Sequence, residues 1–264
     1  MTGRETRSHE ATVAYRARFD ECGPNALLRT SSLLRWAQDI AWIHSERLGY
    51  GREWYADRGM AWVVRGLELT VLRPIPMGTT LAVTTRVAGF RKVMARRNTE
   101  FRGPGDGADE PLLAAATTDW VMTDATRGVP IRYPPEFPAL FAAPGQLTAE
   151  GFDPVRVDTA GWPPTSASRR LIVRPQDADP MRHANNAVYV DWLEESLIDE
   201  GLRNVVEAIP RTYRLEYLSA AAVGAWLEAR AWQEATDEVR FRLLYDDGRD
   251  VLRARVHAPL SGRT

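Results

Sequence analysis

Cysteine is almost absent from this chain of 264 residues, where Cys22 stands alone. That excludes an intramolecular disulfide framework and a cysteine-based zinc site. Charge of one sign is lacking too. Lys and Arg number 34 against 35 Asp and Glu, so the balance advertises neither nucleic acid nor an anionic membrane as a partner. Long apolar runs are also missing. The opening MTGRETRSHEATVAYRARF holds no signal-peptide core, and no later stretch approaches the roughly 18 apolar residues of a membrane span. A reducing, cytoplasmic setting with no membrane attachment is the expectation. Apolar residues still make up 44% of the chain, enough for the core of one large domain or two ordinary ones.

What is present is a repeat. Sliding the second half back by 156 positions lays Trp192 on Trp36, Pro180 on Pro24, Glu194 on Gln38, Glu195 on Asp39, and Tyr189 and Val190 on Leu33 and Leu34. Further on, Leu215 matches Leu69 and Gly224 matches Gly78 at an offset of 146. One change of offset suffices, because the first half carries ten extra residues around Gly49 to Met60.

Each half reads as a short strand, a polar loop, a long helix and then several strands. In the first half Leu33, Leu34, Trp36, Ala37, Ile40, Ala41 and Ile43 recur at helical spacing, with Ser31 or Ser32 as cap and Gly49 as stop. WVVRGLELTVL, TTLAVTTRV, ARRNTEF and LLAAATTDWVMT follow with strand-like alternation. The second half offers AVYVDWLEESLIDEGL as helix, then RTYRLEYL, AWLEARAW, EVRFRLLYD and VLRARVHA as strands. A long helix wrapped by an antiparallel sheet is the α+β hotdog layout. The expected fold is therefore a tandem (double) hotdog, with two long helices on one continuous antiparallel sheet. Residues 12–135 form the first unit, 136–165 a Pro-, Gly- and Ala-rich linker, and 166–260 the second unit.

Chemistry concentrates in RPQDADPMRHANNAVYVDWLEES, where Asp177, Asp179, His183, Asn185 and Asn186 crowd a loop before a helix. A carboxylate and an imidazole four residues apart supply a base or nucleophile and a general acid or orienter. Amide side chains and the unpaired N–H groups of a helix start supply donors for an oxyanion. These are the parts for acyl transfer. At the positions matching Asp179 and His183 the first half has Gly23 and Leu27, which do no acid-base work, so one half keeps the chemistry. The first unit is expected to supply pocket and packing.

This loop resembles that of the hotdog thioesterases, whose Asp-x-Asp is followed by His and then Asn-Asn before the central helix. LLRWAQDIAWIHSERLG, WVVRGLELTVLRPIPMGTTLAV and GFRKVMARR likewise resemble the first hotdog of plant and bacterial acyl-ACP thioesterases, within the 4-hydroxybenzoyl-CoA thioesterase-like superfamily. The resemblance spans about residues 14 to 258. It implies a hydrolase of lipid metabolism that releases a fatty acid from acyl carrier protein without metal or cofactor. An acyl-CoA thioesterase and a non-catalytic acyl-binding protein are the alternatives. Carried over by position, the catalytic pair is Asp179 and His183, with Asn185 and Asn186 in support. Two departures stand out: Met181 replaces an asparagine of the plant enzymes, and Ala220 an acidic residue. The Asp179-Pro180 step instead resembles the aspartate loop of 4-hydroxybenzoyl-CoA thioesterases.

Arg91, Lys92, Arg96 and Arg97 form a basic cluster suited to the phosphopantetheine arm or to an acidic carrier protein. A solvated strand end is the competing reading. Trp36, Trp42 and Trp62 fall where an acyl tunnel would run, although such residues are more often core. His44, near a helix end, is expected at the surface. Carrier protein or coenzyme A thioester is the expected partner, and the chain is expected as monomer or homodimer, because one double hotdog already contains the pairing that single hotdogs reach by dimerising.

Overall fold

The structure, a computed structural model, describes residues 9–105, 110–142, 152–158, 161–163 and 166–259. The helical spacing of the first half produces α1 (Thr30–Arg47), which buries Leu33, Leu34, Trp36, Ala37 and Ile40. Gly49 ends it. With φ at +93° it takes the left-handed conformation, and the Tyr50 N–H reaches back to the Ser45 carbonyl at 2.9 Å. The helix start departs from expectation, because neither serine is the cap. Arg29 holds that position without a side-chain bond, while Ser32 Oγ donates to the Glu21 carbonyl at 3.1 Å and ties the helix to the preceding loop.

The extra residues of the first half form a short helix, α2 (Arg52–Ala56). Strands β1 (Glu10–Arg16), β2 (Met60–Val71), β3 (Thr80–Arg91), β4 (Met94–Arg102) and β5 (Leu112–Asp124) complete that half, followed by α3 (Phe137–Phe141). The second half repeats the pattern with β6 (Ala167–Ile172), α4 (Val188–Asp199), α5 (Arg203–Glu207), β7 (Arg211–Tyr217), β8 (Trp226–Ala235), β9 (Glu238–Tyr245) and β10 (Asp250–His257).

All ten strands join one antiparallel sheet in the order β1-β3-β4-β5-β2-β7-β10-β9-β8-β6. The order is palindromic if β6 stands for β1, β7 for β2, and so on, which is the signature of two equivalent halves related by a two-fold axis. The register locates that axis. Along the central β2-β7 ladder Glu68 lies opposite Arg214, the residue that matches it at the 146 offset. Arg35 and Asp191, equivalent at the 156 offset, likewise meet at 3.1 Å where α1 touches α4. Both long helices pack on the same sheet face over one shared core containing Ile40, Leu69, Leu193, Leu197 and Leu215. The double hotdog is thus observed as expected.

The opposite sheet face carries the connection between halves. The Asp119 carboxylate accepts the Val155 N–H at 2.7 Å, and Glu216 accepts the Val157 N–H at 3.0 Å. Gly66 permits this close crossing, since a Cβ there would lie 2.7 Å from that of Val155. The stretch read as linker begins differently, however. Phe137 and Phe141 are buried against Tyr55, Val87 and Met122, where they help wall a cavity of the first half. Residues 143–151 of that stretch lie outside the described residues.

Candidate active site

The loop before α4 is built on a brace. Arg174 holds the buried Asp177 carboxylate with its Nη2 at 2.9 Å and its Nε at 3.0 Å. Burial raises the Asp177 carboxyl, but the side-chain and backbone bonds from Arg174 outweigh it and leave the group below its ordinary range. From this fixed point the chain turns back on itself. The Asp179 N–H donates to the His183 carbonyl at 2.8 Å, the Arg182 N–H to the Asp179 carbonyl at 2.9 Å, and the Met181 N–H to Asp179 Oδ1 at 2.8 Å. Arg182 takes a φ of +65° to close the turn. Asp179 Oδ1 is therefore fixed by its own loop, which sets the orientation of the carboxylate.

Asp179, Pro180, Met181 and Asn185 form the mouth of a cavity of about 730 Å³ that extends into the first half. Such a volume suits a small apolar ligand. Its walls come from α1 (Gln38, Ala41, Trp42, Ser45), α2 (Arg52, Tyr55, Ala56), the first-half strands (Trp62, Val87, Ala95, Trp120) and α3 (Phe137, Phe141). The ten-residue insertion that interrupts the repeat thus supplies one wall. Trp42 and Trp62 line the cavity as a tunnel reading requires, whereas Trp36 does not: it is buried and donates from its indole to Glu21 at 2.9 Å.

Of the four loop residues given catalytic or supporting roles, Asp179 and Asn185 line the cavity. Asn185 Oδ1 accepts the Ala187 N–H at 2.9 Å as a local cap, and the residue also lines the cavity. His183 is half-buried and does not line the cavity, and its backbone bridges Ala222. Asn186 contributes its carbonyl to the Tyr217 hydroxyl at 2.9 Å. The expectation of several backbone donors from the helix start also narrows, because the N–H groups of Ala184, Asn185, Ala187 and Val188 already have acceptors.

The basic cluster does not act as one surface. Strand alternation divides it, since neighbouring residues of β4 point to opposite faces. Arg96 faces outward, chelates the fully buried Asp119 at 2.7 and 2.9 Å, and donates to the Asp153 carbonyl. Arg91 binds the Phe152 carbonyl at 2.6 Å, and Lys92 is exposed in the β3-β4 turn. Both arginines thus hold the connection between halves. Arg97 faces inward and lines the cavity, where its guanidinium donates to His44 Nδ1 at 2.8 Å. Because a guanidinium offers no acceptor, Nδ1 of His44 must be unprotonated. Burial pushes Arg97 down to about 10, against a smaller opposing effect of Tyr55, so it keeps its charge at neutral pH.

His44 corrects an expectation, being buried beneath α1 rather than at the surface. The reason is its companion: Arg97 below and Phe141, in edge contact at 5.8 Å, enclose the ring. Sequence reasoning passed over Tyr189 as well. This buried phenol sits close enough to Asp179 to feel its charge, and its hydroxyl accepts the Ala221 N–H at 3.2 Å. The signal was a tyrosine where the repeat has Leu33.

Two sequence-family descriptions match this chain: the acyl-ACP thioesterase N-terminal domain over residues 9–141 and the acyl-ACP thioesterase C-terminal domain over 163–258. A chloroplastic oleoyl-acyl carrier protein thioesterase of Coriandrum sativum is 22% identical over 230 residues, 78% of this chain. The match spans 60% of the length of that relative. Among solved structures, a putative oleoyl thioesterase from Lactobacillus plantarum superposes with a TM-score of 0.79 at 22% identity, covering 94% of this chain and 96% of that one. A 12:0-ACP thioesterase from Umbellularia californica gives 0.77 at 20% identity, covering 95% and 97%. The structural likenesses establish the shared fold. With both family domains matched across nearly its whole length and in the order the repeat demands, the chain belongs to the acyl-ACP thioesterase family.

Proposed function

We propose that this protein hydrolyses a fatty acyl thioester of acyl carrier protein, with Asp179 as the central catalytic group. One observation carries the reading: Asp179 is the one acidic residue of the second-half loop that lines the large first-half cavity, and Asn185 lines it too. The acyl chain enters the cavity, and the thioester carbonyl halts between Asp179 and Asn185. Asn185 Nδ2 then donates to the carbonyl oxygen as negative charge develops. Loss of one such donor costs roughly 10²–10³ in rate, so this contribution is substantial. Asp179 either takes a proton from water as the water adds to the carbonyl, or adds to the carbonyl itself and breaks the C–S bond. The second route gives the thiolate, which takes its proton from solvent, and a mixed anhydride that water then hydrolyses to the fatty acid and free Asp179. In the first route the tetrahedral intermediate expels the thiolate, and the proton on Asp179 passes to the sulfur. His183 closes the backbone ring around Asp179, and we assign it the smaller part of positioning that carboxylate.

Acyl carrier protein as partner, a role in fatty acid biosynthesis and a cytoplasmic location belong to this proposal, the first two supported by the family. One chain suffices as the working unit, since cavity and loop come from its two halves. The test is thiol release from a panel of acyl-ACP substrates of graded length. Steady release that disappears in folded Asp179→Ala protein is the expected result. Stoichiometric acyl binding without thiol release would overturn the proposal in favour of a non-catalytic carrier.

A further inference from the structure

The cavity wall contains a polar group that the hydrolysis of a plain hydrocarbon chain does not use. Arg97 is 7% exposed, and that remnant faces the cavity. Its neighbours in the wall are the buried residues Val87, Tyr55, Phe137 and Phe141, whereas the mouth is made of the half-buried Asp179, the exposed Pro180 and the exposed Met181. His44, which meets Arg97, lies nine residues along α1 from the Arg35 end, a rise of roughly 13.5 Å. The cation therefore lies along the cavity from the Arg35 end, on the stretch walled by Tyr55, Phe137 and Phe141.

Polar groups around it are arranged with donors in excess. The Trp62 indole donates to the Tyr55 hydroxyl at 3.2 Å. Ser45 Oγ donates to the Tyr50 carbonyl at 2.8 Å, which leaves it to accept from Tyr55 at 3.1 Å. That chain is closed. Arg97 has a neutral imidazole nitrogen as its side-chain partner and no carboxylate among the described residues. Trp120, another wall residue, has a buried indole N–H with no acceptor among the described residues. A buried cation without a carboxylate partner and a buried N–H without an acceptor are costly in an apolar wall unless something else supplies the oxygen.

The second half shows that the fold itself does not require this charge. Val87 lies nine residues after Gly78 and pairs with Arg97; Gln233 lies nine after the matching Gly224 and pairs with Val239. Val239 is thus the counterpart of Arg97. It is fully buried in a packed core, as a residue with only a structural task would be.

We propose that Arg97 is a distal anchor that selects acyl chains carrying an acceptor oxygen at the end remote from the thioester, a terminal carboxylate above a terminal hydroxyl. This rests on the cavity being the acyl site. The guanidinium is already desolvated, so a carboxylate that reaches it gains a charge-assisted bond, while a methyl end leaves the cation unpaired.

Binding can be measured apart from turnover with hydrolysis-resistant pantetheine amides of matched chains ending in methyl, hydroxyl or carboxylate. At the chain length that best spans the cavity, calorimetry on the wild-type protein should give a Kd at least tenfold tighter for the carboxylate end than for the methyl end, with the hydroxyl between them. Arg97→Met should invert this ranking, and Arg97→Lys should keep it in weakened form. Should Arg97→Met fail to fold, the wild-type ranking and Arg97→Lys still decide. Methyl-ended amides binding as tightly as carboxylate-ended ones at every length would overturn the anchor. Absence of thioester turnover alongside the expected ranking would instead overturn the proposed hydrolysis and leave the anchor standing.

Discussion

The two halves of this protein share a backbone and differ in what they do with their interiors. Their loops superpose bond for bond in pattern. Gly23 N–H donates to the Leu27 carbonyl as Asp179 does to His183, Ala26 has the left-handed φ of Arg182, and Arg18 braces Glu21 as Arg174 braces Asp177. Only the second loop carries Asp179. Inside, the allotment is reversed. Where α1 has Ala41 on the cavity wall, α4 has the fully buried Leu197. Thr99 and Thr118, beside Arg97 on the first sheet face, correspond along the ladders to Phe241 and Val256. Gln38 lines the cavity, whereas its counterpart Glu194 accepts the Tyr213 hydroxyl at 2.5 Å and plugs the equivalent space. One half keeps an open cavity where the other fills its core. On the proposed reading this separates binding from chemistry, because the second-half loop meets the cavity that α1 walls.

The largest expected effect tests the asymmetry of the loops. Asp179→Asn should lower turnover by roughly 10⁴-fold, the scale on which a central acid-base group acts, with acyl binding nearly unchanged. The paired change Gly23→Asp with Leu27→His should leave turnover within a few-fold of wild type. Single-turnover hydrolysis checks both, and near-normal rates in folded Asp179→Asn protein would erase the distinction between the loops. Next comes the Asn185 amide. Asn185→Ala should cost about 10²-fold in kcat through the lost donor, together with about 1 kcal/mol of stability through the lost local cap. At the equivalent Arg29, alanine should change stability alone.

Exchange of interior residues sharpens the comparison further. Leu197→Ala should destabilise the protein by about 2–5 kcal/mol, because it opens a hole in a filled core. Ala41→Leu imports the filler of the second half into the cavity. It should cost little stability, since space already exists there, and should shift the preferred acyl chain to shorter lengths. Denaturant melts and a graded acyl-ACP panel read the two outcomes.

Most of this architecture was legible because the repeat constrained it. The offsets of 156 and 146 placed the long helices and the strands twice, so Trp36 and Trp192 identified both helices and the alternation in ARRNTEF identified β4. Cavity facing was less accessible. The same alternation that marked β4 also puts Arg97 in line with the buried Ala95 and Thr99 and opposite to Arg96, but charge suggested a common surface for both. Phe137 and Phe141 were hidden by their Pro-rich surroundings, which read as linker, and His44 by a helix end that other chains leave exposed. In each case the partner that buries the residue lies far away in sequence: Arg97 for His44, and Tyr50 for both phenylalanines.

The smallest expected effect separates what the loops share from what they do not. Both braces are partly exposed ion pairs, Arg18 with Glu21 at 3.1 Å and Arg174 with Asp177 at 2.9 Å, and such pairs contribute little to stability on their own. Arg18→Ala and Arg174→Ala should therefore each lower Tm only slightly. Turnover should tell them apart. Asp177 accepts the Arg174 N–H through its carboxylate, and its own carbonyl accepts the Asn185 N–H at 2.8 Å, so it ties the Asp179 turn to the Asn185 amide. Arg174→Ala should loosen that tie and reduce kcat several-fold, while Arg18→Ala leaves kcat unchanged. The pH dependence gives a sign as well. Since Arg174 holds the Asp177 carboxyl below its ordinary range, the contribution of this brace is fully present above about pH 4 and fades as pH falls through the folded value. The Tm gap between wild type and Arg174→Ala should accordingly be widest near neutrality and narrow in acid. A gap that widened in acid would mean that Arg174 acts on the loop through some contact other than Asp177.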